Sequence, residues 1–152
     1  MQSLIMTSPQ RIRQSIASII GLLAFGGLLN ALAIFHGWYG EAEEGISCVL
    51  GGGCDTVLSS PYASLFSIPL SVWGVAYYLT ILIIVLVFLG RRNIYTLRLL
   101  MVGVVCGLAF SLYLFLVQAM ILGTFCSSCL LSFADVILMT GIVIGFFKYI
   151  AR

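Results

Sequence analysis

Charge is what this sequence has least of. Of its 152 residues only 8% are charged, seven basic and five acidic, while 62% are hydrophobic. A soluble domain carries roughly 25% charged residues, so this chain cannot cover a water-facing surface. The basic residues form no dense run, which removes nucleic acid as a partner. There is one histidine, His36, at the end of an apolar run, where interfacial filling is its ordinary role. No nucleotide fingerprint, haem-attachment motif or metal-ligand cluster is present, and no metal is expected. Internal repeats and low-complexity segments are also missing. What remains is an integral membrane protein of one domain, residues 1–152, with membrane lipid as its surroundings.

The apolar runs divide the chain into four helices, about 14–36, 69–89, 96–122 and 126–147. Each is long enough to cross a bilayer at about 1.5 Å per residue. A signal peptide is the competing reading of the first run, since Arg11 and Arg13 precede it and Ala31-Leu32-Ala33 ends it; losing it would leave an odd number of spans. Pro69 opens the second helix, where its missing N–H costs nothing. The fold expected is all-α, a four-transmembrane-helix bundle with one long loop, 37–68, between helices one and two. Within that loop Tyr62-Ala63-Ser64-Leu65-Phe66 is apolar enough to lie on or dip into the membrane surface.

The few charges orient the bundle. Arg11, Arg13, Arg91, Arg92, Arg98, Lys148 and Arg152 all fall at the amino terminus, the 2–3 turn or the carboxyl terminus. With four spans these places share one side, and the positive-inside bias makes it cytoplasmic. The protein is then a multi-pass protein of the cell membrane with both termini cytoplasmic. The long loop and the short 3–4 connection face the extracytoplasmic side.

Those two connections hold four of the five cysteines. Cys126-Ser127-Ser128-Cys129 begins the fourth helix, where the unsatisfied N–H groups and helix dipole favour a thiolate at Cys126. Residues three apart share a helix face, and Cys129 lies about 4.5 Å deeper. Cys126 is therefore placed to meet a loop or soluble partner, and Cys129 to meet something dissolved in lipid. Cys48 and Cys54 are separated by Val49-Leu50-Gly51-Gly52-Gly53. A disulfide needs Cα atoms roughly 4.4–6.8 Å apart, so these five residues must fold back, and the glycines supply the backbone freedom. Thiol–disulfide exchange between the pairs runs naturally from an external dithiol to Cys48–Cys54, then to Cys126–Cys129. The alternatives are a non-catalytic four-helix membrane scaffold with two structural disulfides, and a four-cysteine metal site. Electrons leaving Cys129 need a lipid-soluble acceptor, and a quinone such as ubiquinone or menaquinone fits. Ser60 and Ser59, just past Cys54, are the candidate donors to its carbonyl oxygen. Asp135, an intramembrane carboxylate, is a candidate for proton handling. Cys106, in mid-helix three, has no partner in sequence and reads as packing.

The block Cys48-x5-Cys54-Asp55-Thr56-Val57-Leu58-Ser59-Ser60-Pro61, then Ile68-Pro69-Leu70-Ser71-Val72-Trp73-Gly74, then Cys126-x-x-Cys129 resembles the vitamin K epoxide reductase family, and more closely its prokaryotic homologues. The DsbB-type quinone-linked oxidases, which carry the C-x-x-C first, fit worse. The resemblance implies a four-helix bundle around a quinone, with Cys126–Cys129 as the active pair and Cys129 nearest the ring. It implies that Cys54 forms a transient disulfide with Cys126, that Cys48 faces the partner, and that Ser60 bonds a quinone oxygen. The function implied is a quinone-dependent thiol oxidase taking electrons from an extracytoplasmic thioredoxin-fold, DsbA-like protein in support of disulfide formation. Two departures stand out. The chain ends after helix four, so a thioredoxin-like domain is expected as a separate protein or lies beyond a truncation. Family members that reduce the epoxide often have tyrosine four residues past the C-x-x-C. Here that position is Phe133, which favours quinone reduction.

Overall fold

The computed structural model describes residues 8–39, 54–91 and 93–150, with side chains over 11–36, 56–91 and 93–148. Four long helices carry the fold: α1 (Ser8–Tyr39), α3 (Leu70–Arg91), α4 (Ile94–Val117) and α5 (Ser127–Ile150). Each holds a stretch long and apolar enough to cross a membrane: Arg11–His36, Leu70–Arg91, Ile94–Leu122 and Ser127–Lys148. Helix α1 starts earlier than its uncharged run, because Arg11 and Arg13 continue the helix beyond the apolar span. Asn93 stops the α3–α4 turn by capping α4; its side-chain oxygen accepts the Tyr95 N–H at 3.2 Å.

Lipid is as apolar as leucine, so helices in a membrane associate through close fit and polar bonds rather than hydrophobic exclusion. Both devices are present. The buried stripe of α1 is Ala17, Ile20, Ala24, Leu28 and Ala31, small residues at helical spacing. It packs chiefly on α3, and α4 packs chiefly on α5. Gly74 of α3 comes so near α1 that a Cβ there would sit 3.5 Å from that of Ala31. Asn30 Nδ2 donates to the Ser128 carbonyl and to Ser132 Oγ, both at 2.9 Å, and so ties α1 to the start of α5. Thr140 Oγ1 donates to Val136 O at 2.7 Å and Val104 O at 3.3 Å, joining α5 to α4. Large side chains such as Leu22, Ile83, Leu86 and Val102 are exposed around the bundle, as a lipid-facing belt requires.

The connection before α3 has more structure than its sequence suggests. A short helix, α2 (Cys54–Leu58), leads into a 3-10 turn at Pro61–Ala63 and a two-residue hairpin, β1 (Ser64–Leu65) and β2 (Ile68–Pro69). Phe66 and Ser67 close the hairpin with φ of 54° and 64°. A two-residue turn of this hand needs positive φ at both central positions, and here neither residue is glycine or asparagine. Phe66 is 83% exposed at the tip. The rest of the expected loop, including Cys48, lies outside the described residues.

Candidate functional site

The α4–α5 connection builds the site. Helix α4 relaxes into a π-helical turn, Gln118–Leu122, and ends at Gly123, whose φ of 60° reverses the chain without a Cβ penalty. The wider turn directs Gln118, only 4% exposed, at the start of α5. Its Oε1 accepts the Cys126 N–H at 3.0 Å, satisfying one of the donors that a helix start leaves without an internal partner. Its carboxamide also interacts with the Cys129 sulfur.

Cys126 takes the N-cap position of α5. Its carbonyl accepts the first helical bond, from Leu130 N at 3.0 Å, and its sulfur accepts the Cys129 N–H at 3.4 Å. This is the geometry of a serine cap with sulfur in place of oxygen. The Cys129 thiol donates to the same sulfur, and with the backbone N–H groups of Cys129 and Ser128 it draws the Cys126 thiol down from 9.0 to about 7, against burial, which raises it. Cys126 is 0% exposed. Its cover is α2, whose Val57 and Leu58 form a small apolar cluster with it, flanked by Ile34, Leu122 and Cys129. Cys54 opens that same short helix.

Beside the pair is a cavity of about 430 Å³ lined chiefly by α3, α4 and α5, with Ala31 and Ile34 of α1 and Leu58 and Leu65 of the preceding connection also in its wall. Cys129 lines it and Cys126 is not among its lining residues. Its walls are mostly apolar and aromatic, including Trp73, Phe115 and Phe133; the last two stack at 5.1 Å. Among the described residues, the buried hydroxyl groups of Ser71, Tyr77 and Tyr78 in the wall find no hydrogen-bond partner. A buried hydroxyl left unbonded costs about 1–3 kcal/mol, so these are places where a ligand oxygen would be taken up.

Ser60 and Ser59 sit elsewhere. Ser60 Oγ donates to Val57 O at 2.6 Å and Ser59 Oγ to Thr56 O at 3.4 Å, closing the end of α2, and neither lines the cavity. Cys106 does line it, while His36 is exposed near the end of α1. Of Cys54 the backbone alone is described, so the Cys48–Cys54 pair lies outside this geometry. Gln118 is the residue a reading of the chain passes over. The available signal is a lone carboxamide in an apolar helix, eight residues before Cys126.

Four membrane-length helices, a cysteine pair at a helix start and an apolar cavity reached by one of the two define a helical membrane oxidoreductase. The sequence profile of the Vitamin K epoxide reductase family matches residues 16–144, and the chain belongs to that family. No individual curated protein matches it. The family's chemistry is disulfide redox linked to quinone-type substrates, generally with thioredoxin-like partners. The cavity suits such a substrate: it is apolar, it has hydroxyl donors without partners, and a cysteine stands in its wall.

Proposed function

We propose that this protein is a quinone-dependent thiol oxidase. It takes electrons from an extracytoplasmic thioredoxin-fold protein of the DsbA type and passes them to a membrane quinone, in support of disulfide formation. The supporting observation is the division of the pair, with Cys126 beneath α2 and Cys129 on the cavity wall.

The steps follow from thiolate chemistry. The partner's dithiol reduces the Cys48–Cys54 disulfide and is itself oxidised. The Cys54 thiolate then attacks the sulfur of Cys126 in the Cys126–Cys129 disulfide, and Cys129 leaves as thiolate. Cys48 resolves the mixed disulfide, restoring Cys48–Cys54 and leaving Cys126 and Cys129 reduced. A quinone held in the cavity would supply a two-electron, two-proton acceptor, and Cys126 and Cys129 would give up their two electrons to it as their disulfide re-forms. Gln118 holds the backbone of the pair still while sulfur bonds change, and Leu58 and Leu65 add apolar surface to the cavity wall. Tyr77, Tyr78 and Ser71 are the donors that need no rearrangement to meet a ring oxygen. Ser60, and Ser59 beside it, serve if Ser60 Oγ turns away from Val57 O.

The test is purified protein in lipid nanodiscs with a dithiol donor, following quinone absorbance. Steady reduction that depends on both Cys126 and Cys129 supports the reading. Reduction that survives Cys129→Ala removes it.

A further inference from the structure

From Cys129 a row of polar side chains runs along the cavity wall and past it, and the cysteine exchange uses neither Ser132 nor Asp135. Cys129, Ser132 and Asp135 recur every three residues along α5, so they follow one face. Asp135 lies about 9 Å deeper than Cys129. Opposite them on α3, Tyr78 is 3% exposed. Its hydroxyl lies among Ser132 and Asp135, yet among the described residues it has no hydrogen-bond partner of acceptable geometry, and neither has Asp135 Oδ2. From α1, Gly27 makes room for both: a Cβ there would collide with the Tyr78 ring and approach Asp135 Oδ2 to 2.8 Å. Tyr78 is in the cavity wall and Asp135 is not. Among the described residues the titratable groups facing Asp135 are Tyr78 and Tyr77, both from α3; Cys106 of α4 faces Tyr77, and α1 brings the backbone of Gly27.

A carboxyl group at membrane depth is costly and is kept for use. We infer that Asp135 and Tyr78 form a buried proton donor, in which Tyr78 hands a proton to an oxygen of the quinone and Asp135 replaces it. This rests on the quinone reduction proposed above. When Cys126 reacts as the thiolate, the balance needs a second proton from such a donor. Closing the Cys126–Cys129 disulfide releases two electrons, and the acceptor takes two electrons and two protons. Cys129 supplies one proton as its thiol is consumed. The hydrogen bonds from the Cys129 thiol and the backbone N–H groups favour Cys126 as the thiolate, and in that form its proton has already gone to water. Asp135, as the acid, gives the second through Tyr78 and is refilled from water, matching the proton Cys126 released. Tyr78 is the catalytic residue of this couple and Asp135 its positioning and supplying partner.

The experiment uses the full chain in nanodiscs with a short-tailed quinone, and three readouts. The first is quinone reduction, which Asp135→Asn and Tyr78→Phe should each slow roughly a hundredfold, within the range of a lost general acid. Asp135→Glu should restore most of the rate. The second is closure of the Cys126–Cys129 disulfide by a water-soluble diazenedicarboxamide oxidant, which needs no proton donor in the cavity and should not change. The third is an infrared carboxyl band of the quinone-free protein, absent in Asp135→Asn and shifted in Tyr78→Phe. A wild-type chain that closes the disulfide but reduces no quinone overturns the oxidase reading and this inference together. An active wild type with unchanged Asp135→Asn and Tyr78→Phe overturns this inference alone. So does loss of both oxidant reactions in both variants, which assigns the couple a structural role, or a carboxyl band that Tyr78→Phe leaves in place.

Discussion

Gln118 Oε1 and the Cys126 N–H are joined at 3.0 Å across the π-helical turn and Gly123. The bond holds the cysteine pair from the opposite helix. Gln118→Leu keeps the volume and leaves the Cys126 N–H without an acceptor in a buried site, which costs about 1–3 kcal/mol. The variant should unfold at lower temperature, and quinone reduction should slow as the pair loses its register. Thermal unfolding and turnover in nanodiscs check this. A variant matching the wild type in both would show that water replaces the bond at no cost.

Cys126 is drawn down to about 7 first by the Cys129 thiol and then by the backbone N–H groups, with burial opposing. The sign is that of a lowered thiol: the thiolate forms as pH rises through about 7 rather than through the ordinary value near 9. Thiolate absorbance of the reduced protein, with Cys48, Cys54 and Cys106 replaced by serine, should rise with that midpoint. Replacing Cys129 by alanine removes the leading donor, so the midpoint should move upward. A midpoint that stays at about 7 would assign the effect to the backbone alone.

The tight joint at Gly27 offers a test of packing. A methyl group there meets the Tyr78 ring and Asp135 Oδ2, and an aromatic ring buried on α3 cannot swing away as a flexible chain end would. Gly27→Ala should destabilise the protein by about 1–3 kcal/mol, as overpacked cores do. Gly26, also in α1 and with open space around its Cβ position, is the control, and Gly26→Ala should not lower the unfolding temperature, since alanine is the better helix former.

The helices were legible for a simple reason. Each span is an apolar run of membrane length, and the charges that end the runs stand out in so apolar a chain. The profile match and the four spans bear out the family and the bundle. The hairpin was not legible, since Phe66-Ser67 carries none of the residue types that announce a turn of positive φ. Nor was the cavity wall. Ser60 lies close to Cys54 in sequence, yet its hydroxyl is used locally by Val57 O. Tyr77, Tyr78 and Gln118 look like ordinary membrane residues until three helices converge on them. Asp135 was visible as a carboxylate in an apolar helix, but its relation to Tyr78 and Gly27 exists only in three dimensions.

The cover on Cys126 yields a trapping experiment. Val57 and Leu58 of α2 pack on Cys126, and Cys54 opens that helix one turn earlier. If exchange between the pairs is the working step, removing Cys129 leaves Cys126 with no vicinal partner, and the Cys54–Cys126 bond becomes the stable oxidised product once Cys48 is also replaced. The Cys48→Ser, Cys129→Ala variant should therefore give a Cys54–Cys126 disulfide on mild oxidation, identified by mass spectrometry of unreduced peptides. Adding Val57→Asp and Leu58→Asp charges the face of α2 that covers the cysteine, and its burial against Cys126 becomes unfavourable. The trapped species should fall sharply, while Cys126 becomes open to a water-soluble alkylating reagent. Undiminished trapping in the charged variant would mean that Cys54 reaches Cys126 without α2 docked, and α2 would then be a lid on the cavity rather than the carrier of the shuttle cysteine.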